Sequence, residues 1–211
     1  MKFDPRRFNR PLALFFTFLI IFEAAAFVAT TPRPKESFFE LYVLGANGLA
    51  GDYYPNNSSF IQLDELVTWQ IGIANQMGSV QFVEIQVKLA NQTINPPNDT
   101  TSSPSPAPLV TEFKHFAADN GTWEFPFVWE ILNVTTQGGR SRIFRLQIDQ
   151  VTYVLTNSPT CSNPSSCEFR FIFELWTWSD YLNDFQIGWL NGDQRRIAWL
   201  QLWFYLTPGV P

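Results

Sequence analysis

"ELVTWQIGIAN" (Glu65–Asn75), followed after "QMGS" by "VQFVEIQVKLANQTI" (Val80–Ile94), decides the fold class. In the first run Val67, Trp69, Ile71 and Ile73 share one face while Leu66, Thr68 and Gln70 share the other, and the second run keeps the same period of two. Such alternation marks strands with a buried face. "QMGS" turns the chain, and the second strand runs back. Upstream, "SFFELYVL" (Ser37–Leu44) is aromatic and branched, and Asn47-Gly48 supplies a turn signal after it. Downstream, strands are expected at Leu109–Ala117, Thr122–Leu132, Ser141–Leu155, Glu168–Trp178 and Arg195–Leu206. Pro126 demotes the second of these towards an edge or bulge. "NPPNDTTSSPSPAP" (Asn95–Pro108) cannot join a central strand and reads as a solvated inserted loop. "YLNDFQIGWLNGDQ" (Tyr181–Gln194) reads as irregular or as a short helical crossover. Roughly seven to nine short strands predict an all-β, immunoglobulin-like antiparallel β-sandwich.

Aromatic residues make up 17% of the chain and charged residues 16%, a balance that suits aromatic-rich strands. Residues 1–10 carry Lys2, Arg6, Arg7 and Arg10 against Asp4, a balance of +3. From Thr31 onward 10 basic residues face 17 acidic ones, a balance of −7. An acidic body without a basic stripe argues against a nucleic-acid partner.

"PLALFFTFLIIFEAAAFVAT" (Pro11–Thr30) follows the basic cluster and is apolar apart from Glu23. Its length barely suffices to cross a hydrocarbon core. The Lys/Arg bias places Met1 in the cytoplasm and everything after Thr30 outside. The expected organisation is a basic tail (1–10), a transmembrane signal anchor (11–30), a linker (31–36), the extracytoplasmic sandwich (37–206) with its inserted loop (95–108), and a tail (207–211). A cleaved signal peptide is the rival reading, with Ala24-Ala25-Ala26 resembling a cleavage site.

Six of 14 asparagines stand in N-x-S/T sequons: Asn56, Asn57, Asn91, Asn98, Asn120 and Asn133. Chance gives about two, so the enrichment predicts a glycosylated surface. Two cysteines, Cys161 and Cys167, flank "SNPSS", which suits a disulfide-closed turn in an oxidising compartment.

Catalytic chemistry is thin. His115 is the one histidine, expected on the face of Phe113 and Ala117 as an ordinary strand residue. It has no G-x-S-x-G elbow, reactive lone cysteine or second metal-ligating cluster beside it. No cofactor is expected. Asp180, Asp184 and Asp193 lie among Trp176, Trp178, Tyr181 and Trp189, a crowding a sugar-processing cleft would use, but loop acids beside core aromatics are the preferred explanation. In Arg195–Leu206, Trp199, Trp203 and Tyr205 share the face opposite Leu200, Leu202 and Phe204. In Glu168–Trp178, Trp176 and Trp178 oppose Phe169, Phe171 and Phe173. One sandwich core cannot cover both faces of both strands. Either the inserted loop covers the second face or a partner does, so Trp176, Trp178, Trp199, Trp203 and Tyr205 are candidate partner-binding residues.

"FFELYVLGANGLAGDYYPNN" with "VTWQIGIANQMGSVQFVEIQVKLANQT" resembles archaeal membrane proteins catalogued as domain of unknown function 1616. The matching positions include Phe39, Tyr42, Gly45, Asn47, Gly48, Tyr54, Pro55, Gly72, Asn75, Trp123 and the closing Leu200, Leu202 and Trp203. The resemblance spans about Glu36–Leu206. It implies a cell-surface sandwich and supplies no activity. Many relatives carry several transmembrane helices, whereas this chain has one apolar segment. The function expected is a structural or accessory subunit of a cell-envelope or membrane protein complex, with another membrane or envelope protein as partner and no catalysis. The alternatives are a glycan- or solute-binding ectodomain and, third, a glycoside-processing hydrolase.

Overall fold

A computed structural model describes residues 6–31, 36–162 and 168–207. It divides into two compact units, Met1–Glu36 and Ser37–Pro211. The first unit holds α1 (Arg6–Thr30), in which Leu12–Thr30 forms a 19-residue apolar span of mean hydropathy 2.4. A helix satisfies its own backbone groups, which is what a segment this apolar requires in either an anchor or a signal sequence.

The second unit is an antiparallel β-sandwich of two six-stranded sheets. Its first sheet runs in the order β1 (Phe39–Gly45), β3 (Val67–Asn75), β6 (Thr122–Gln137), β7 (Arg140–Ile148) and β8 (Val151–Val154), with β9 (Thr160–Cys161) also beside β7. Its second sheet runs β2 (Phe60–Ile61), β14 (Trp199–Leu206), β10 (Glu168–Ser179), β4 (Gln81–Asn91) and β5 (Leu109–Ala117), with β11 (Asp184–Ile187) paired to the end of β10. β12 (Trp189–Asn191) and β13 (Gln194–Arg196) make a separate hairpin. The pairings are antiparallel except β2 with β14.

The inward faces interdigitate as the alternation predicts. Trp69, Phe127, Trp129, Phe171, Phe173 and Phe204 are fully buried and meet ring to ring, Trp69 with Trp129 at 5.2 Å and Trp129 with Phe171 at 4.9 Å. Burial of each such side chain contributes about 1.5–3 kcal/mol, which makes this aromatic layer the main stabiliser of the sandwich. The Tyr-Pro stretch packs onto its end: Trp69 Nε1 donates to Tyr53 O, and Tyr54 O–H donates to Trp203 O.

Several expectations are corrected. The Gln76–Ser79 turn does not close a hairpin: β3 pairs with β1 and β6, whereas β4 pairs with β10 and β5 in the opposite sheet. The turn crosses the sandwich, so both strands direct their apolar faces into one core. The strand expected over Ser141–Leu155 is two, β7 and β8, folded at Asp149 and Gln150 in left-handed conformation (φ 47° and 69°), as a tight two-residue hairpin requires. The stretch expected as irregular or helical, Tyr181–Gln194, supplies β11, β12 and the first residue of β13. Gly188 is needed there, since a Cβ would lie 1.9 Å from Arg196 O. The Asn95–Pro108 segment is not merely solvated, because Pro97 is buried and Ser105 and Ala107 are buried against the second sheet. Cys161 ends β9, and Cys167 lies outside the described residues.

Two residues fix the register at one end. Asn75 is wholly buried; its Nδ2 donates to Ser79 O (2.9 Å), Ala117 O (3.0 Å) and Ala118 O (3.1 Å), and its Oδ1 accepts from Met77 N (2.9 Å). It ties the β3–β4 crossing to the β5–β6 crossing. Gly72 stands between Tyr42 on β1 and Glu124 on β6 in one cross-strand row. A Cβ at Gly72 would meet the Tyr42 ring at 2.2 Å, and the bare backbone lets that ring cross β3 and donate its hydroxyl to Glu124.

Candidate binding surfaces

The outer face of the second sheet begins with charge. Lys88 on β4 and Glu174 on β10 are both buried and pair at 2.9 Å. Lys88 Nζ also donates to Ser105 O (2.9 Å), and Glu174 Oε1 accepts from Ser105 N (2.7 Å). Two charges out of water demand such additional partners, and the inserted loop provides them. Around this pair Ala90, Ala107 and Ile172 form a small apolar cluster with Ile94 and Trp199.

This arrangement decides where the five predicted aromatics lie. Trp199 packs in that cluster, and its indole donates to Asp99 of the loop (3.0 Å). Trp176 donates to Glu174 (3.1 Å) and lies beneath the Lys88 ammonium. Trp203 carries the Arg170 guanidinium 4.4 Å from its ring centre, and Arg170 is held by Gln201 Oε1 and Ile94 O. Burial lowers the pKa of Arg170 from its ordinary value. Tyr205 stacks on Phe60 at 5.1 Å and donates to Glu168 (2.7 Å), which raises its pKa. The five therefore do not make one open surface, because the loop folds across the middle of the face.

Trp178 is different. It is the third ring in a row that crosses four strands, one from each: Phe116 (β5), Phe82 (β4), Trp178 (β10) and Phe185 (β11). Phe116 and Phe82 stack at 4.3 Å, Phe82 lies 6.2 Å from Trp178 and 5.0 Å from Phe185, and Trp178 meets Phe185 edge-on at 5.3 Å. Phe116 is 67% exposed, and Tyr181 and Leu182 at the adjoining β10–β11 turn are 94% and 53% exposed. Lys114 Nζ stands 5.3 Å over Phe185, and the Trp178 indole donates to Asp180 (3.0 Å). Phe82, Phe116 and Phe185 escaped the sequence reading. Their signal was present: Phe82 falls out of phase with Val83, Ile85, Val87 and Leu89, so it had to point outward.

A groove lies on the other side of the sandwich. It holds about 720 Å³ and is walled by Phe113, Trp123, Phe125, Pro126 and Trp129, with Glu130, Gln147 and Asp149 at its rim. His115 is exposed and stacks on Trp123 at 4.6 Å, an ordinary strand position that leaves it no catalytic partner among its described contacts. Of the loop acids, Asp180 accepts from Trp178, Asp184 accepts from Phe185 N (2.7 Å), and Asp193 is exposed. Among the described residues no cluster of three metal-ligating side chains occurs. Asn56, Asn57, Asn98, Asn120 and Asn133 are exposed. Asn91 is buried, its Nδ2 donating to Thr160 O (2.9 Å) and its Oδ1 accepting from Thr93.

No family model and no curated protein matches this chain. Among solved structures it is similar to the CARDB domain of the PF1109 protein from Pyrococcus furiosus, in complex with di-metal ions, at 8% identity and TM-score 0.38, covering 83% of this chain and 99% of that one. It is also similar to a beta-glucosidase from Listeria innocua in complex with glucose, at 13% identity and TM-score 0.35, covering 81% of this chain but 16% of the enzyme.

Proposed function

We propose that this chain is a single-pass, membrane-anchored extracytoplasmic β-sandwich that serves as a structural or accessory subunit of a cell-envelope or membrane protein complex. The apolar α1 is the anchor, and the basic residues before it hold the N-terminus inside. The likeness to the archaeal family of unknown function and the sequon enrichment support the outside location of the sandwich. No catalysis is assigned to it.

One observation carries the partner reading: the four-ring row through Trp178 leaves aromatic surface in water at the end of a sheet whose middle is sealed by its own loop. Exposed aromatic anchors bordered by charge are the composition of interface hot spots. Truncating one commonly costs 2 kcal/mol or more, about thirtyfold in affinity. Trp178→Ala is therefore expected to abolish stoichiometric co-purification of a second protein from gently solubilised native membranes, with the thermal unfolding midpoint little changed. Undiminished co-purification contradicts the assignment. The same rings suit stacking on a sugar, so a glycan-binding ectodomain is the second reading. It predicts retention on polysaccharide columns that Trp178→Ala removes, with no protein companion.

A further inference from the structure

The first sheet is one strand short along half of β6. On one side β3 pairs with β6 from Thr122 to Trp129; on the other side β7 pairs only from Trp129 onward, because it ends at Ile148 and turns into β8. Among the described residues no strand pairs with the second side of Thr122–Val128. Val128 directs both backbone groups to that side: its N–H donates to Asp149 Oδ1 (3.0 Å), and its C=O accepts from Asp149 N (2.8 Å). Alternation then points the backbone groups of Thr122, Glu124 and Pro126 the same way. Three carbonyls and two amides stand open, since Pro126 has no N–H to offer. The apolar groove runs beside this edge, between β6 and Phe113 of the facing sheet. It is the position a further strand would occupy. Trp129, which borders it, is fully buried with an indole N–H that finds no acceptor.

We infer that this edge is an acceptor for an extended segment of a partner polypeptide, which completes the sheet and lays its apolar side chains into the groove. The bound segment pairs over about five residues, apolar at every second position, to match the open stretch Thr122–Pro126 in a ladder of period two. Its outward positions are basic. They would stand beside Glu124 on the outer face of β6, with Glu130 and Asp149 at the rim of the groove; no basic residue lines the groove, and the chain from Thr31 onward carries −7. Pro126 gives the edge a fixed gap in its donors, which restricts register and discourages unselective edge-to-edge pairing. This inference rests on the reading of the domain as a partner-binding ectodomain, but uses a surface separate from the Trp178 row.

The test uses the full chain in lipid nanodiscs and a fluorescent Lys-Val-Lys-Val-Lys-Val-Lys peptide. Saturable binding is expected, with Kd raised at least tenfold when alternate peptide amides are N-methylated, and again by Glu130→Lys or Trp123→Ala in variants with unchanged unfolding midpoints. N-methylation leaves the protein untouched, so that arm stands even if a variant fails to fold. Equal binding of both peptides means adhesion by charge alone and overturns the inference, as does the absence of saturable binding. Concentration-dependent self-association that the peptide does not relieve, but that Glu130→Lys abolishes, would make a second copy the occupant and overturns it also. Trp178→Ala is expected to leave peptide binding intact, so loss of the Trp178 interface and loss of the strand acceptor are read separately.

Discussion

At the scale of single residues, Asn75 shows how much one side chain holds. It makes four side-chain hydrogen bonds while wholly buried, two within the turn that follows it and two to Ala117 and Ala118 from the next crossing. Asn75→Ala strands those carbonyls, each costing about 1 kcal/mol or more, so a loss of roughly 3 kcal/mol is expected in denaturant titration. Its place at the end of a strand was legible in "IGIAN". Its partners at Ala117 and Ala118 were not, because only the fold brings them near. Tyr42 gives a pH-dependent counterpart. Burial, then its hydrogen bond to Glu124, pushes the phenol up to about 12. Burial raises Tyr54 as well. Both groups fold in the neutral form, so their contribution is complete below the ordinary phenol value of about 10 and is lost as pH rises towards the folded one. Unfolding free energy is expected to hold level from pH 8 to 10 and decline above it, with a shallower decline in Tyr42→Phe.

Among the elements, the strands themselves were readable and their partners were not. Period-two alternation is the same whether a strand pairs with its neighbour in sequence or crosses to the facing sheet, so β3 and β4 looked like a hairpin. Asp149-Gln150 lacks the usual Asn-Gly turn chemistry, which is why β7 and β8 looked continuous. Pro126 was read correctly as an edge signal, and the edge proves to be half of β6. The Pro/Ser/Thr-rich loop was the hardest element to read, since composition reports its inability to pair but not its ability to cap a buried ion pair. Replacing 95–108 by a short Gly-Ser link uncovers Ile172 and Trp199 and removes the Ser105 contacts of Lys88 and Glu174. A destabilisation of about 3–5 kcal/mol is expected, comparable to breaking a buried pair outright. If denaturant midpoints barely move, the loop is decoration and the outer face tolerates water. Lys88→Ala alone is expected to cost a similar amount, because Glu174 would remain buried without its cation.

For the whole molecule, length, charge asymmetry and hydropathy outlined an apolar helix ahead of an acidic sandwich, and the two compact units follow that division. What composition cannot report is where the chain folds over its own aromatic faces, which is why the five residues, all half-buried, do not form one surface and only Trp178 joins the row that ends in exposed Phe116. Glycan mapping offers a check at this scale: occupancy is expected at exposed sequons such as Asn98 and Asn133, and none at Asn91, whose amide is already spent inside the fold. The central claim is that the sandwich lies outside the membrane and stays tethered to it. Thr100, exposed at the tip of the loop, provides the direct test. In Thr100→Cys cells, a membrane-impermeant maleimide is expected to label the protein in intact cells above the wild-type background, and the labelled chain is expected to sediment with membranes after a carbonate wash at full mass. Labelling only after the cells are opened, or release of a chain lacking its first 26 or so residues, would contradict the account.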